Sequence, residues 1–447
     1  MSERPYSRSL LFATYQNAEL AREAISLARV FADTDFLRAA DPEGKILRDW
    51  SRFVAMNDRL RHTLDGVLLA YAVSPRQDGT PREWAEAGRL AGRVEAFVLP
   101  STAVECQVVE QESDGGEPAY LIALSGFCGE VMANVSWALP TVLQHYARLR
   151  EKLAQEHLRE LIEVHGLGSR AMEESDYIQG KRAVNEFDAC VESYVRTWTT
   201  KGAVAPKSFL PRAGSLPLSE RGRVGETYAA CTAFLLSHEL QHIEGGHFLS
   251  ADSVAAFPPF MADLPEDVLR EVEADCAAFT LTMNTAIVRE FSDEDRPHVP
   301  DFAALARDLP SGRPSLLSGK RRRQQRALDE VTRLRACISR AVGAMLCFYA
   351  VTDLFAVMAR QHGDEAQSAR FERVAERKDV VRRYATWLLD GLEQDWGMRI
   401  WHPEEAALWT GLDQHVEHLK QTVVPTAKPG RAPGTLPPWA VNPEHRP

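Results

Sequence analysis

The sequence predicts a mainly α-helical protein that carries a small antiparallel β-sheet, an α+β arrangement. Three observations carry this reading. Several long segments place apolar residues at helical spacing. One stretch near residues 93–127 switches to short β-prone runs. Between two of those runs stands Asp114-Gly115-Gly116, a hairpin signal.

Residues 15–75 read as helical, with Glu19 to Ala32 rich in Ala, Leu and Glu. Val94–Leu99 is the first expected strand, and Val104–Val109 and Tyr120–Leu124 follow. Residues 140–165 return to a helical pattern with many i,i+4 charge pairs. Residues 1–201 are therefore expected to form an N-terminal helical region with the sheet near 93–127. Residues 202–223 cluster Gly, Pro and Ser and read as a linker. A second region, 224–420, opens with a helix near Glu226. The next helix starts at Pro265-Glu266-Asp267 and runs to about Phe291. Proline is tolerated in a first turn, and acids suit the positive end of the helix. Residues 292–318 read as loop, and 319–361 and 364–395 as two long helices. The tail, 423–447, holds seven prolines and little apolar content, and is expected to be disordered.

The chain has 447 residues, enough for a sizeable core. Its apolar share of 45% and charged share of 26% are those of an ordinary globular protein. A net charge of -11 argues against general binding to nucleic acid or anionic membranes. The seven cysteines form no CxxC pair, and several sit in apolar runs, which reads as reduced, buried thiols. Leu10–Ala13 is too short for a signal-peptide core. Ala336–Met358 is interrupted by Arg340 and Asp353, and its uncharged part is too short to span a bilayer. The expectation is a cytoplasmic chain with no membrane span.

The chemistry concentrates in His238-Glu239-Leu240-Gln241-His242. Residues four apart share one face of a helix, so both imidazoles can point at one metal ion. Glu239 lies about 100° around the axis, where it can act as a base instead of a ligand. Zinc suits such a set, because three protein donors leave one position open for water. The preceding run, Tyr228 to Ser237, is almost wholly apolar and predicts a buried motif helix. Gly245-Gly246 then ends it. His247 lies five residues after His242. The spacing H-E-x-x-H-x-x-G-x-x-H would need the third histidine at Phe248, so His247 reads as a residue behind the ligands or at the helix cap.

The third ligand is expected on the next helix, in Glu271-Val272-Glu273-Ala274-Asp275. Glu271 and Asp275 share a face. One can bind the metal, while the other accepts the free N–H of a ligand histidine and fixes its tautomer. Glu273 is the second choice of ligand. A donor for the oxyanion formed at the scissile carbonyl is also needed. Tyr228, His298, Tyr349 and His402 were weighed for that role, and each reads better as a core or surface residue. The basic run Lys320-Arg321-Arg322-Arg323 reads as a solvated helix face.

HELQHIEGGH followed by EVEADCAAF resembles the gluzincin peptidases, and within them the phage-exclusion Lit-type peptidases most. The resemblance covers roughly residues 226–285. It implies a gluzincin-like catalytic core with His238, His242 and Glu271 as Zn2+ ligands, Glu239 as catalytic base and Asp275 behind the ligands. It implies a zinc metallopeptidase that hydrolyses peptide bonds through a zinc-bound water, on a protein or peptide substrate, in phage defence or regulatory proteolysis. A non-catalytic zinc-containing sensing or partner-binding module is the alternative. Glu239 argues against it, since a structural site needs no general base.

Overall fold

A computed structural model describes residues 60–74, 84–99, 106–112, 118–125, 218–244, 258–261, 264–292, 301–309, 318–361, 363, 365–400, 413, 416–417, 419–423 and 425. The helices expected within 15–59 and 140–165, most of the linker and the tail from 426 onward lie outside these residues.

The described residues are mostly helical. Helix α1 spans 60–73 and α2 spans Trp84–Arg93. Strands β1 (Val94–Leu99), β2 (Cys106–Glu112) and β3 (Pro118–Ser125) follow. Then come α3 (Leu218–Glu244), α4 (Glu266–Phe291), α5 (Phe302–Asp308) and α6 (Ser318–Gln361). Helices α7 (Glu365–Glu376) and α8 (Lys378–Trp396) complete the set, with a π-helical turn at Leu419–Val423.

The strands form one sheet in the order β1-β3-β2. β2 and β3 pair antiparallel, from Cys106 opposite Leu124 to Glu112 opposite Pro118. β1 pairs with β3 in parallel, Val94 opposite Tyr120. The sheet is therefore mixed, which departs from the all-antiparallel expectation. Alternate residues of β3 (Tyr120, Ile122, Leu124) are buried, as are Val94 and Ala96. That is the period-two signature of a strand with one face on the core. α2 lies against β1 and β3, and the Arg93 guanidinium sits 5.4 Å from the Tyr120 ring centroid.

α3, α4 and α6 pack on one another and form the centre of the molecule, and α3 also touches the sheet. Every residue from Ala230 to Leu240 on α3 is buried, so this helix is enclosed on all sides. Its ring of Phe234, Leu236 and Leu240 joins Phe279 of α4 and Tyr349 and Phe355 of α6 in one hydrophobic cluster. α1 and the sheet feed the same cluster, so the described N-terminal residues share a core with the helices that follow. α6 contains an apolar window long enough to cross a bilayer, and 83% of that window is buried inside the protein. Cys231, Cys276, Cys337 and Cys347 are buried thiols outside any disulfide.

Two expectations need correction here. The region 292–318 is not wholly loop: Asp301 caps α5 by accepting from the Ala304 N–H at 2.9 Å. The run 364–395 is two helices. Hydrogen bonding breaks at Arg377, whose N–H donates to the Val374 carbonyl at 3.2 Å. α8 then ends on Gly397 at φ 66°, a left-handed position that glycine takes without a Cβ clash.

Candidate metal centre

α3 begins at Leu218, earlier than the Glu226 read from sequence, and carries His238 and His242 in its last two turns. α4 begins just after Pro265 and carries Glu271 and Asp275 one turn apart. Because α3 and α4 pack along each other, the two i,i+4 pairs meet.

The His238 Nε2 and His242 Nε2 atoms stand 3.0 Å apart. Glu271 Oε2 lies 3.7 Å from the first, and Glu271 Oε1 lies 3.5 Å from the second. One donor atom from each residue fits within a 4.8 Å span. Donors bound tetrahedrally at about 2.0–2.2 Å from an ion stand about 3.3–3.6 Å from each other. The His–His separation and the two His–Glu separations, each to a different Glu271 oxygen, lie around that spacing. His238, His242 and Glu271 can therefore hold a metal ion. Two imidazole nitrogens facing each other this closely need a cation or a proton between them.

Behind the histidines, His238 Nδ1 faces Asp275 Oδ1 at 2.9 Å. The proton of a neutral His238 then belongs on Nδ1, and the lone pair of Nε2 faces the centre. Asp275 is wholly buried. Its other oxygen accepts from the Tyr349 hydroxyl at 2.8 Å and stands 3.2 Å from Arg377 Nε. The His238 and Arg377 approaches both bring positive charge against the buried carboxylate. Arg377 Nη1 also donates to Glu271 Oε2.

The field of the site is negative. Burial pushes the His238 pKa down, but Asp275 beside it, helped by Glu239 and Glu271, raises it overall. The same field favours a metal cation. Burial pushes Asp275 up, yet Arg377, His238 and Tyr349 hold it below the usual carboxylate range. Burial likewise pushes Glu271 up, and His238, Arg377 and His242 bring it down. Both carboxylates are therefore ionised near neutrality. Burial and the adjacent Asp275 charge push the Tyr349 hydroxyl well up, so it remains a neutral donor.

Of the residues singled out by sequence, His238, His242, Glu271 and Asp275 meet at this centre. Glu239 sits beside His238 on α3, buried and outside the donor group. Glu273, the second-choice ligand, is also outside the group and buried elsewhere on α4, where burial raises its pKa. Tyr349 is tied to Asp275, a different part from the oxyanion donor weighed for it. His247, His298 and His402 lie outside the described residues, and the Tyr228 side chain is also not described. Arg377 was missed: it lies 106 positions from Glu271, in a run with no break signal. The arrangement defines a class of site, two histidines and a carboxylate on two packed helices. Searches against protein-family models, curated proteins and solved structures find no match to the chain.

Proposed function

We propose that this chain is a zinc-dependent metallopeptidase with a gluzincin-like catalytic core. The observation that carries the reading is the convergence of His238 Nε2, His242 Nε2 and a Glu271 oxygen within a single metal-sized span. Glu239 next to a ligand supports hydrolysis over a purely structural site, which has no use for a base. When bound, zinc supplies Lewis acidity and lowers the pKa of a water to about 7. The remaining work belongs to the chain itself. Asp275 holds His238 in the tautomer that presents Nε2. Glu239 takes a proton from the attacking water and delivers it to the departing amide nitrogen. A protein or peptide substrate, a cytoplasmic setting and a role in phage defence or regulatory proteolysis rest on the motif resemblance alone.

The test pairs metal analysis with cleavage. Wild type and Glu239→Gln are each expected to bind one zinc per chain. Proteome-wide mapping of new peptide termini should find a set made by wild type and missing with Glu239→Gln, a loss of about 10²- to 10⁴-fold. Equal metal with no cleavage by either protein would favour the non-catalytic sensing module. Absence of bound metal from wild type would sink both.

A further inference from the structure

We propose that Arg377 is a positioning residue that holds Glu271 as a one-oxygen ligand and so keeps the fourth position of the metal centre open. The inference rests on the metal-centre reading above. It starts from the backbone break between α7 and α8. Arg377 is the residue at that break: its N–H donates to Val374, and its carbonyl accepts from the Val381 N–H at 3.1 Å. The Arg377 side chain at this junction is buried.

Once inside, the guanidinium spans two carboxylates one turn apart on α4. Nη1 donates to Glu271 Oε2, and Nε faces Asp275 Oδ2. Only a planar fork with several fixed donors can do both at once. A buried charge placed for stability alone is a poor choice, because well-packed apolar residues usually serve as well. Its position against a metal-ligand oxygen gives it a different use. Oε2 already carries a charge-assisted donor, and a second cation on that oxygen would meet the guanidinium's like charge. Oε1 is the free oxygen, 3.5 Å from His242 Nε2. Three single-atom donors then remain, which is the count that leaves a catalytic zinc site one open position. With Arg377 removed, both Glu271 oxygens are free to chelate, the protein then supplies four donors, and a bound water makes the centre five-coordinate.

The test reads coordination and affinity, not catalysis. The full chain is loaded with cobalt(II), whose visible absorption is strong when four-coordinate and weak when five- or six-coordinate. Three variants are compared: Arg377→Lys, Arg377→Met, and Arg377→Met combined with Asp275→Asn. The combined variant removes both members of the buried pair and keeps the test open if Arg377→Met alone fails to fold. Wild type should show the strong bands. Both methionine variants should lose them severalfold, and Arg377→Met should bind zinc no more weakly than wild type, because a guanidinium charge is removed and a second donor oxygen is added. Lysine should restore the bands only in part, because one ammonium cannot serve both carboxylates. Folded methionine variants with wild-type bands would overturn the role of Arg377 and leave the metal centre standing. A wild-type protein that binds neither cobalt nor zinc would instead overturn the metal centre, and this inference with it.

Discussion

Two charged clusters flank the junction of α7 and α8, reached by consecutive residues. Arg377 enters the inner one, with Glu271, Asp275 and the two histidines. Lys378 enters the outer one, where it meets Asp353 at 3.2 Å and Asp413 at 3.0 Å. Arg382 grips Asp413 through both terminal nitrogens, at 2.6 and 3.0 Å, and Lys420 approaches Asp353 at 3.7 Å. The outer cluster sets three cations (Lys378, Arg382, Lys420) against the two carboxylates they share. The inner cluster sets one guanidinium against three carboxylates, Glu239 included. The outer group has cations enough for the carboxylates they share and is left with no negative charge in excess. The inner group is left about two negative charges in excess, in a buried place where that excess is costly. A dication removes the excess. The difference separates an ion-pair network that fastens the C-terminal turn to α6 and α8 from a site built to receive something.

The largest expected difference between the clusters is in stability. Asp275→Ala should cost about 3–5 kcal/mol, because Arg377 loses a buried partner and the Tyr349 hydroxyl loses its acceptor. Denaturant unfolding of the variant beside wild type measures it. A cost no larger than that of the matching outer change, Asp413→Ala, would erase the contrast. Next in size is the response to metal. Zinc at about a thousand times its dissociation constant should stabilise wild type by about 4 kcal/mol, and a chelator should remove that gain. Outer-cluster variants should keep the whole shift, whereas His242→Ala should show none. A shift that survives His242→Ala would place the metal somewhere else.

Much of the inner cluster was legible because its chemistry is periodic. An i,i+4 histidine pair on an apolar helix and an i,i+4 acid pair on the next helix each announce a shared face. Pro265 marked the start of α4 to the residue. The charge balance was not legible, since it depends on Arg377. Ala375, Glu376, Arg377 and Lys378 are all good helix formers, and nothing in their types signals a break. The contacts that hold the guanidinium come from α4, more than a hundred residues away in sequence. Tyr349 was weighed only for an oxyanion role, because no local pattern connects it to a carboxylate on another helix. α5 did announce itself through Asp301 as a cap, but one short helix is easily hidden in a polar stretch. The parallel pairing of β1 with β3 was beyond reach for a different reason. Alternation identifies the buried face of a strand and not the direction of its neighbour.

The smallest effect tests the outer cluster as a self-sufficient one. Burial pushes Asp413 up, but Arg382 and then Lys378 bring its pKa below the usual aspartate value. A carboxyl whose folded pKa is depressed contributes stability above its unfolded pKa and loses it as the pH falls through the folded one. Asp413 is about a third exposed, 36% by side chain, so water screens much of this contribution. Asp413→Asn should therefore cost about 1 kcal/mol or less at pH 7. The gap between variant and wild type should close as the pH falls below the ordinary aspartate value of about 3.9, since both side chains are then neutral. Urea unfolding across that range checks it. The gap should also be the same with zinc present or chelated, because the outer carboxylates already have cation partners without the ion. If it changes with zinc, the two clusters are coupled through Arg377 and Lys378, and the junction transmits the state of the metal centre to the C-terminal turn.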